Sequence, residues 1–250
     1  MSMYEKPVRL LMPEMLEQLG LRGGQVISKE KAIRWFADRY PKIKQATISA
    51  HLIRFSTNAP SRLHYNARPG EEDLLFQIDG GHFRRYDPAK DPPPIYEGSQ
   101  TTRALVPVAN DEESDDANEF AYETDLRDFL AKNLPTLERG LRLYEDEGIT
   151  GVEFPVGGRH IDILAVTPEK EYVVIELKVS RGYDRVVGQL LRYMAWIAKN
   201  HAEPSQRVRG IIVAREITTD LLLACSSLRD VQLYEYQLSV SLKKVSIPTN

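Results

Sequence analysis

The chain has 250 residues, 42% of them hydrophobic and 28% charged, with a formal net charge of −3. This is the composition of an ordinary soluble globular protein, long enough for one large domain or two modest ones. The single cysteine, Cys225, excludes an internal disulfide and a cysteine-based zinc cluster; residues 1–11 lack the apolar core of a secretory signal and no apolar run approaches the length of a bilayer span, so a cytoplasmic protein without a membrane partner is expected.

Charge is unevenly spread. Residues 1–87 hold 14 Lys and Arg against 10 Asp and Glu, residues 88–119 hold 2 against 8, and residues 120–250 hold 17 against 18. The acidity therefore sits in one short segment, which also carries Asp91-Pro92-Pro93-Pro94 and the run Asp111-Glu112-Glu113-Ser114-Asp115-Asp116. Prolines and like charges oppose compact structure, so the expected organisation is a domain over 1–87, an acidic, Pro-rich and solvated linker over 88–118, and a second domain over 119–250.

In the first domain Val8, Leu11, Met15 and Leu19 have helical spacing, ended by Gly20, Gly23 and Gly24. Ser28 is placed to cap a second helix whose apolar face is Ala32, Ile33, Trp35 and Phe36, stopped by Pro41. A third helix is predicted from Gln45 to Phe55, with Ile48, Leu52 and Phe55 inward. Leu74–Ile78 and Phe83–Tyr86 read as strands around the turn Asp79-Gly80-Gly81-His82. Three helices and a hairpin outline a winged-helix-like domain. From Arg39 to Gly70 there is no acidic residue, while Arg39, Lys42, Lys44, Arg54, Arg62, Arg68, His51 and His64 are present. Such a stretch is the electrostatic footprint of a phosphate-binding surface. DNA contacts are accordingly expected from Lys42, Lys44, Gln45, Thr47, His51, Arg54 and Arg62, with a protein-interaction domain as the alternative.

The second domain opens on a predicted helix with Tyr122, Leu126, Phe129 and Leu130 on its apolar face. Strands are predicted near Leu141–Tyr144, Val152–Phe154, Asp162–Val166 and Tyr172–Lys178. A helix follows over Asp184–Lys199, with the stripe Val187, Leu190, Leu191, Met194 and Ile197. A strand at Arg209–Ala214, a helix at Thr219–Leu228 and a strand at Val231–Tyr236, extending toward Val245, complete an αβββαβ order with additions. The fold class is α/β, built on a mixed sheet.

Two apolar runs carry the chemistry. Gly158-Arg159-His160-Ile161-Asp162-Ile163-Leu164 holds one carboxylate, and Val173-Val174-Ile175-Glu176-Leu177-Lys178 holds a carboxylate and an amine two residues apart. On a strand Glu176 and Lys178 share a face. If the two strands pair, two carboxylates and an ammonium meet, the equipment of a magnesium-dependent phosphodiester hydrolase. A buried carboxylate without a partner is costly, which favours the metal reading of Asp162 over a structural one. His160 is read as pointing away from Asp162, and Trp196 as a core residue. Arg159, Arg181 and Arg185 are weak phosphate-clamp candidates.

Glu123-x-x-Leu126-x-x-Phe129-Leu130, the two strand runs and Gly188-Gln189-Leu190-x-x-Tyr193-Met194, in this order over about residues 119–240, resemble the PD-(D/E)XK (restriction-endonuclease-like) nuclease superfamily, and most nearly the catalytic domain of the NucS-type (EndoMS) endonucleases. The resemblance implies that Asp162, Glu176 and the Leu177 carbonyl bind Mg²⁺ or Mn²⁺, and that Lys178 orients water and stabilises developing charge. It further implies that Glu123 is an additional acid, with Glu138, Glu145 and Glu153 as competitors, and that Gln189 and Tyr193 support the site. NucS-type enzymes carry a β-rich front domain, which this sequence lacks, so mismatch recognition is not implied. The expected function is a metal-dependent DNA endonuclease in defence, restriction or repair. A homodimer would supply the two sites a double-strand cut needs. The alternatives are a non-catalytic DNA-binding regulator on a nuclease-like scaffold, and a nuclease for RNA or branched DNA.

Overall fold

The computed structural model describes residues 6–22, 24–96, 114–178 and 184–237, with backbone alone at 114–122 and 184. Most of the expected linker, Arg181 and the extension toward Val245 lie outside the described residues.

The front module runs α1 (Val8–Gln18), β1 (Val26–Ser28), α2 (Lys29–Arg39), α3 (Gln45–Arg54), β2 (Leu75–Gln77) and β3 (His82–Arg85). The three strands form an antiparallel sheet in the order β1-β3-β2. Strand β1 has only three residues, too few for a period-2 pattern to register in the sequence. Ser28 caps α2, its hydroxyl accepting the Lys31 N–H at 3.2 Å. Leu11, Met15, Trp35, Phe36, Ile48, Leu52, Phe55 and Phe83 pack into one core.

Helix α3 belongs to two cores. Ile48 and Leu52 face the front module, whereas Ala46, Ala50 and Ile53 pack into a cluster with Tyr144, Phe154 and Ile161 of the second half. Every residue from Ala46 to Arg54 is buried. A helix covered all round is an interior element. The small Ala46 and Ala50, four residues apart, let its backbone approach the second half closely. Residues 92–96 are not a free tether either: Ile95 is buried, and its N–H donates to the Thr57 carbonyl at 2.9 Å.

The second half contains α4 (Ser114–Lys132), β4 (Arg142–Leu143), β5 (Glu145–Asp146), β6 (Ile149–Thr150), β7 (Val152–Val156), β8 (Arg159–Val166), β9 (Tyr172–Lys178), α5 (Asp184–Asn200), β10 (Val208–Ala214), α6 (Thr219–Cys225) and β11 (Val231–Glu235). Its sheet has the order β11-β10-β9-β8-β4, with β7 also on β8. β9, β10 and β11 are parallel, and β8 is antiparallel to β4, β7 and β9. This is a mixed α/β fold. One sheet face packs with α5 residues such as Leu190 and Ile197, the other with Leu126 and Leu130 of α4.

Between β4 and β7 the chain leaves the sheet as the β5–β6 hairpin. At its tip Glu147 (φ +50°) enters the front module. The Glu147 carboxylate accepts the Val8 N–H at 2.8 Å, at the start of α1, and its carbonyl accepts from Arg54. A carboxylate at a helix N-terminus satisfies an otherwise unpaired donor and opposes the helix dipole.

Candidate active site

Strands β8 and β9 pair from Ile163↔Ile175 to Val166↔Tyr172, and the same register carried one step further sets Asp162 opposite Glu176. The ladder stops there. The Leu177 N–H donates to the Asp162 Oδ2 at 2.8 Å instead of to a strand carbonyl. The carboxylates therefore face each other where two strands part. Ile161 and Leu164 share one core while Ile163 and Ala165 share the other. A regular strand would keep Ile161 with Ile163, so the side-chain alternation breaks at Asp162.

Glu176 is 2% exposed. Gln189 of α5 donates from Nε2 to the Glu176 Oε2 at 2.8 Å, while Oε1 is buried with no hydrogen-bond partner among the described residues. Burial pushes the Glu176 carboxyl well above the usual range, and the charge of Asp162 pushes it further. Burial likewise raises Asp162, against the lowering effect of the Leu177 N–H, and the charge of Glu123 adds to the rise in both. The Arg127 charge on Asp162 and the Asp162 backbone hydrogen bond to Glu176 offset this only in part, so two buried like charges leave a site short of positive charge.

Tyr193, one turn after Gln189, is 3% exposed. Its hydroxyl is raised by burial first and by Glu176 next, with Arg159 and Arg192 acting oppositely. So α5 brings Gln189 and Tyr193 to the carboxylates, and Arg159 lies within electrostatic reach. Lys178 is half-buried, two residues after Glu176 on the same strand. Trp196 is partly buried against the core.

Among the competitors to Glu123, Glu138 pairs with Arg209 at 2.6 Å, and Glu145 is an exposed residue of β5. Glu153 acts on Asp162 but is bound by Arg127 of α4 at 2.5 Å. Glu153 acts electrostatically on both His160 and Asp162.

The residues expected to meet DNA are dispersed by the fold. Lys42 is exposed, Gln45 is half-buried, and Lys44 pairs with Glu203 at 2.9 Å. Thr47, His51, Arg54 and Arg62 are buried, which corrects their expected place on an exposed groove-facing surface. His51 Nδ1 lies 2.9 Å from the Thr47 carbonyl and Nε2 3.6 Å from Glu147. Arg54 donates to Glu72 at 2.8 Å and to the Asn66 carbonyl at 3.2 Å. Arg62 pairs with Asp73 and lies over the Tyr96 ring. The acids missing between residues 39 and 70 are supplied by Glu72, Asp73 and Glu147 from beyond it.

Sequence reasoning missed Arg127, Ser61 and Tyr65. Arg127 sits four residues after Glu123, a spacing that places both on one side of a helix and could have drawn attention to it. Ser61 and Tyr65 carry no such signal.

The pair fits a hard divalent cation. The donors are oxygens, and Glu176 Oε1 lacks a partner. Among the described residues no three His, Cys, Asp or Glu side chains form a closed cage. Magnesium commonly takes only one or two carboxylates, with waters and substrate phosphates filling the remaining positions.

Residues 122–236 match the family model described as the endonuclease NucS C-terminal domain, so this half of the chain is similar to that domain. Residues 7–85 match a domain of unknown function, DUF7669. Endonuclease NucS of Methanocaldococcus jannaschii is 29% identical over 110 residues, covering 44% of this chain and 39% of that protein. The chain thus spans about two-fifths of that relative's length. A repair endonuclease from Pyrococcus abyssi aligns with a TM-score of 0.39 and 22% identity over 46% of each chain. An EndoMS–double-stranded DNA complex aligns with a TM-score of 0.35 and 20% identity, over 64% of this chain and 53% of that one. Among the described residues no helix is long and apolar enough to cross a membrane.

Proposed function

We propose that the protein is a divalent-metal-dependent DNA endonuclease that hydrolyses phosphodiester bonds. The observation that carries this reading is the uncompensated pair Asp162–Glu176 at the parting of β8 and β9, with Glu176 Oε1 left without a partner. Magnesium or manganese bound there would polarise the scissile phosphate and lower the pKa of a bound water. Asp162 and Glu176 would supply its carboxylate oxygens, and the Leu177 carbonyl a further one. The Leu177 N–H and the Gln189 amide hold one oxygen of each carboxylate and leave the other available. Lys178 would orient the attacking water and stabilise charge gathering on the phosphoryl oxygens. Arg159, whose charge acts on Tyr193, would engage a neighbouring phosphate.

The helix–strand–helix–helix–strand–strand order and the β1-β3-β2 sheet support a winged-helix reading of the front module. With α3 buried, that module would meet DNA through other surfaces, Lys42 among them. The DNA specificity and a repair, restriction or defence role belong to this proposal, as does a homodimer for double-strand cutting. Supercoiled plasmid incubated with the purified chain and Mg²⁺ or Mn²⁺, beside Asp162→Ala and Lys178→Ala, tests it. Wild-type protein should nick or linearise the plasmid and both variants should not. Equal cutting by all three, or metal-indifferent binding without cutting, would sink the nuclease and favour a regulator.

A further inference from the structure

We propose that Glu153 is a positioning residue through which the front module sets the geometry of the catalytic carboxylates. The inference rests on the nuclease reading and adds a control point to the same site.

Glu153 lies at the meeting point of three parts of the molecule. On β7 it stands between the pairs Val152↔Ile163 and Phe154↔Ile161, which places it opposite Asp162. Its backbone is left-handed, with φ +47°. For a residue with a side chain this conformation is strained and persists only where surrounding contacts enforce it. The front module supplies those contacts. The Tyr65 hydroxyl donates to the Glu153 carbonyl at 2.8 Å, and the Ser61 hydroxyl to Oε2 at 2.6 Å. His64 Nε2 lies 4.0 Å from Oε2, and the His64 carbonyl accepts from Thr150, just ahead of β7, at 2.9 Å. Tyr65 is wholly buried and Ser61 is 5% exposed, so these are interior contacts rather than chance surface ones.

The third part is α4. Arg127 donates to Glu153 Oε1 at 2.5 Å. One helical turn earlier on α4 stands Glu123, whose charge acts on both Asp162 and Glu176. Glu153 thus fixes the strand beside one catalytic carboxylate and anchors the helix that carries the acid acting on both. The break in side-chain alternation at Asp162 lies across from this left-handed residue. Release of Ser61 and Tyr65 would let β7 relax toward ordinary strand geometry, and Asp162 and Arg127 would move with it.

Groups that orient metal ligands from behind typically change metal affinity or activity by about 10–100-fold when removed. The test uses the full-length chain with Glu153→Gln and with the double variant Ser61→Ala/Tyr65→Phe. Mn²⁺ affinity is measured by calorimetry, and plasmid nicking is resolved into kcat and KM, all well below the melting temperature. Mn²⁺ Kd should weaken about 10-fold and kcat should fall about 10-fold or more, with KM for DNA within about 2-fold. A purely structural role would lower the melting temperature and leave Kd and kcat unchanged. Folded variants with wild-type Mn²⁺ Kd and kcat overturn the proposal. If the double variant fails to fold, the near-isosteric Glu153→Gln decides alone. Wild-type protein that binds Mn²⁺ and cuts nothing refutes the nuclease reading, and the calorimetric result still decides the coupling. Wild-type protein that binds no Mn²⁺ refutes both.

Discussion

Helix α3 and the β8–β9 pair are both buried and both rich in polar groups, yet their charge accounts differ. Around α3, Arg54 and Arg62 are each matched by a carboxylate, and His51 lies beside another. At β8–β9, two acids share one interior, Asp162 held by the Leu177 N–H and Glu176 by the Gln189 amide and the Asp162 backbone. Compensated buried charge is architecture, and it resists change because removal of one partner strands the other. Uncompensated buried charge is tolerated where something outside the chain completes it, and it marks where a cation would bind. The state of compensation separates the two regions better than charge or composition does.

The sharpest way to break this contrast is Asp162→Asn. Cutting should fall by about 100–1,000-fold, while stability without metal should hold or rise, because the variant removes one of two like charges. The pH dependence follows from the raised carboxyls. The native state holds their protons more tightly than the unfolded chain, so metal-free wild-type stability should fall as pH rises above about 4. Stabilisation by Mn²⁺, which displaces those protons, should grow over the same range. Thermal melts from pH 5 to 8.5, with and without Mn²⁺, check both signs. Wild-type stability that climbs with pH in the absence of metal would contradict the account.

Arg54→Ala tests the compensated region. It leaves Glu72 buried without its guanidinium and frees the Glu147 carbonyl, so a loss of about 3–5 kcal/mol is expected in denaturant unfolding. A loss below 1 kcal/mol would show that the α3 pairs are not structural. The smallest effect should come from exposed Lys42→Ala. Stability should stay within about 0.5 kcal/mol, and if Lys42 meets a phosphate the salt dependence of DNA binding should lose about one unit of slope. An unchanged slope would remove Lys42 from the DNA surface.

The same contrast explains what the sequence made legible. Asp162 stood out only as a carboxylate inside an apolar run. Glu176 and Lys178 were readable because strand periodicity is local, and two residues of spacing already decide a shared face. Gln189 and Tyr193 were readable for the same reason, at helical spacing. The burial of Thr47, His51, Arg54 and Arg62 was not. It depends on Glu72, Asp73 and Glu147, and Glu147 lies 93 positions beyond Arg54. An acid-free window describes the chain near itself and says nothing about acids brought in by the fold. The second apolar face of α3, formed by Ala46, Ala50 and Ile53, was not read, because Ile48, Leu52 and Phe55 already accounted for a helix. The role of Glu153 was hidden because a left-handed backbone at a glutamate leaves no mark in composition.

Because α3 lends one side to each core, the family boundaries near residues 85 and 122 are not places where the protein could be divided without wetting its interior. Cutting the gene there would leave the rear fragment with an oily trough once filled by Ala46, Ala50 and Ile53. Grafting a different front onto this rear would then require a surrogate for that helix. The two halves would be inherited together or remodelled together.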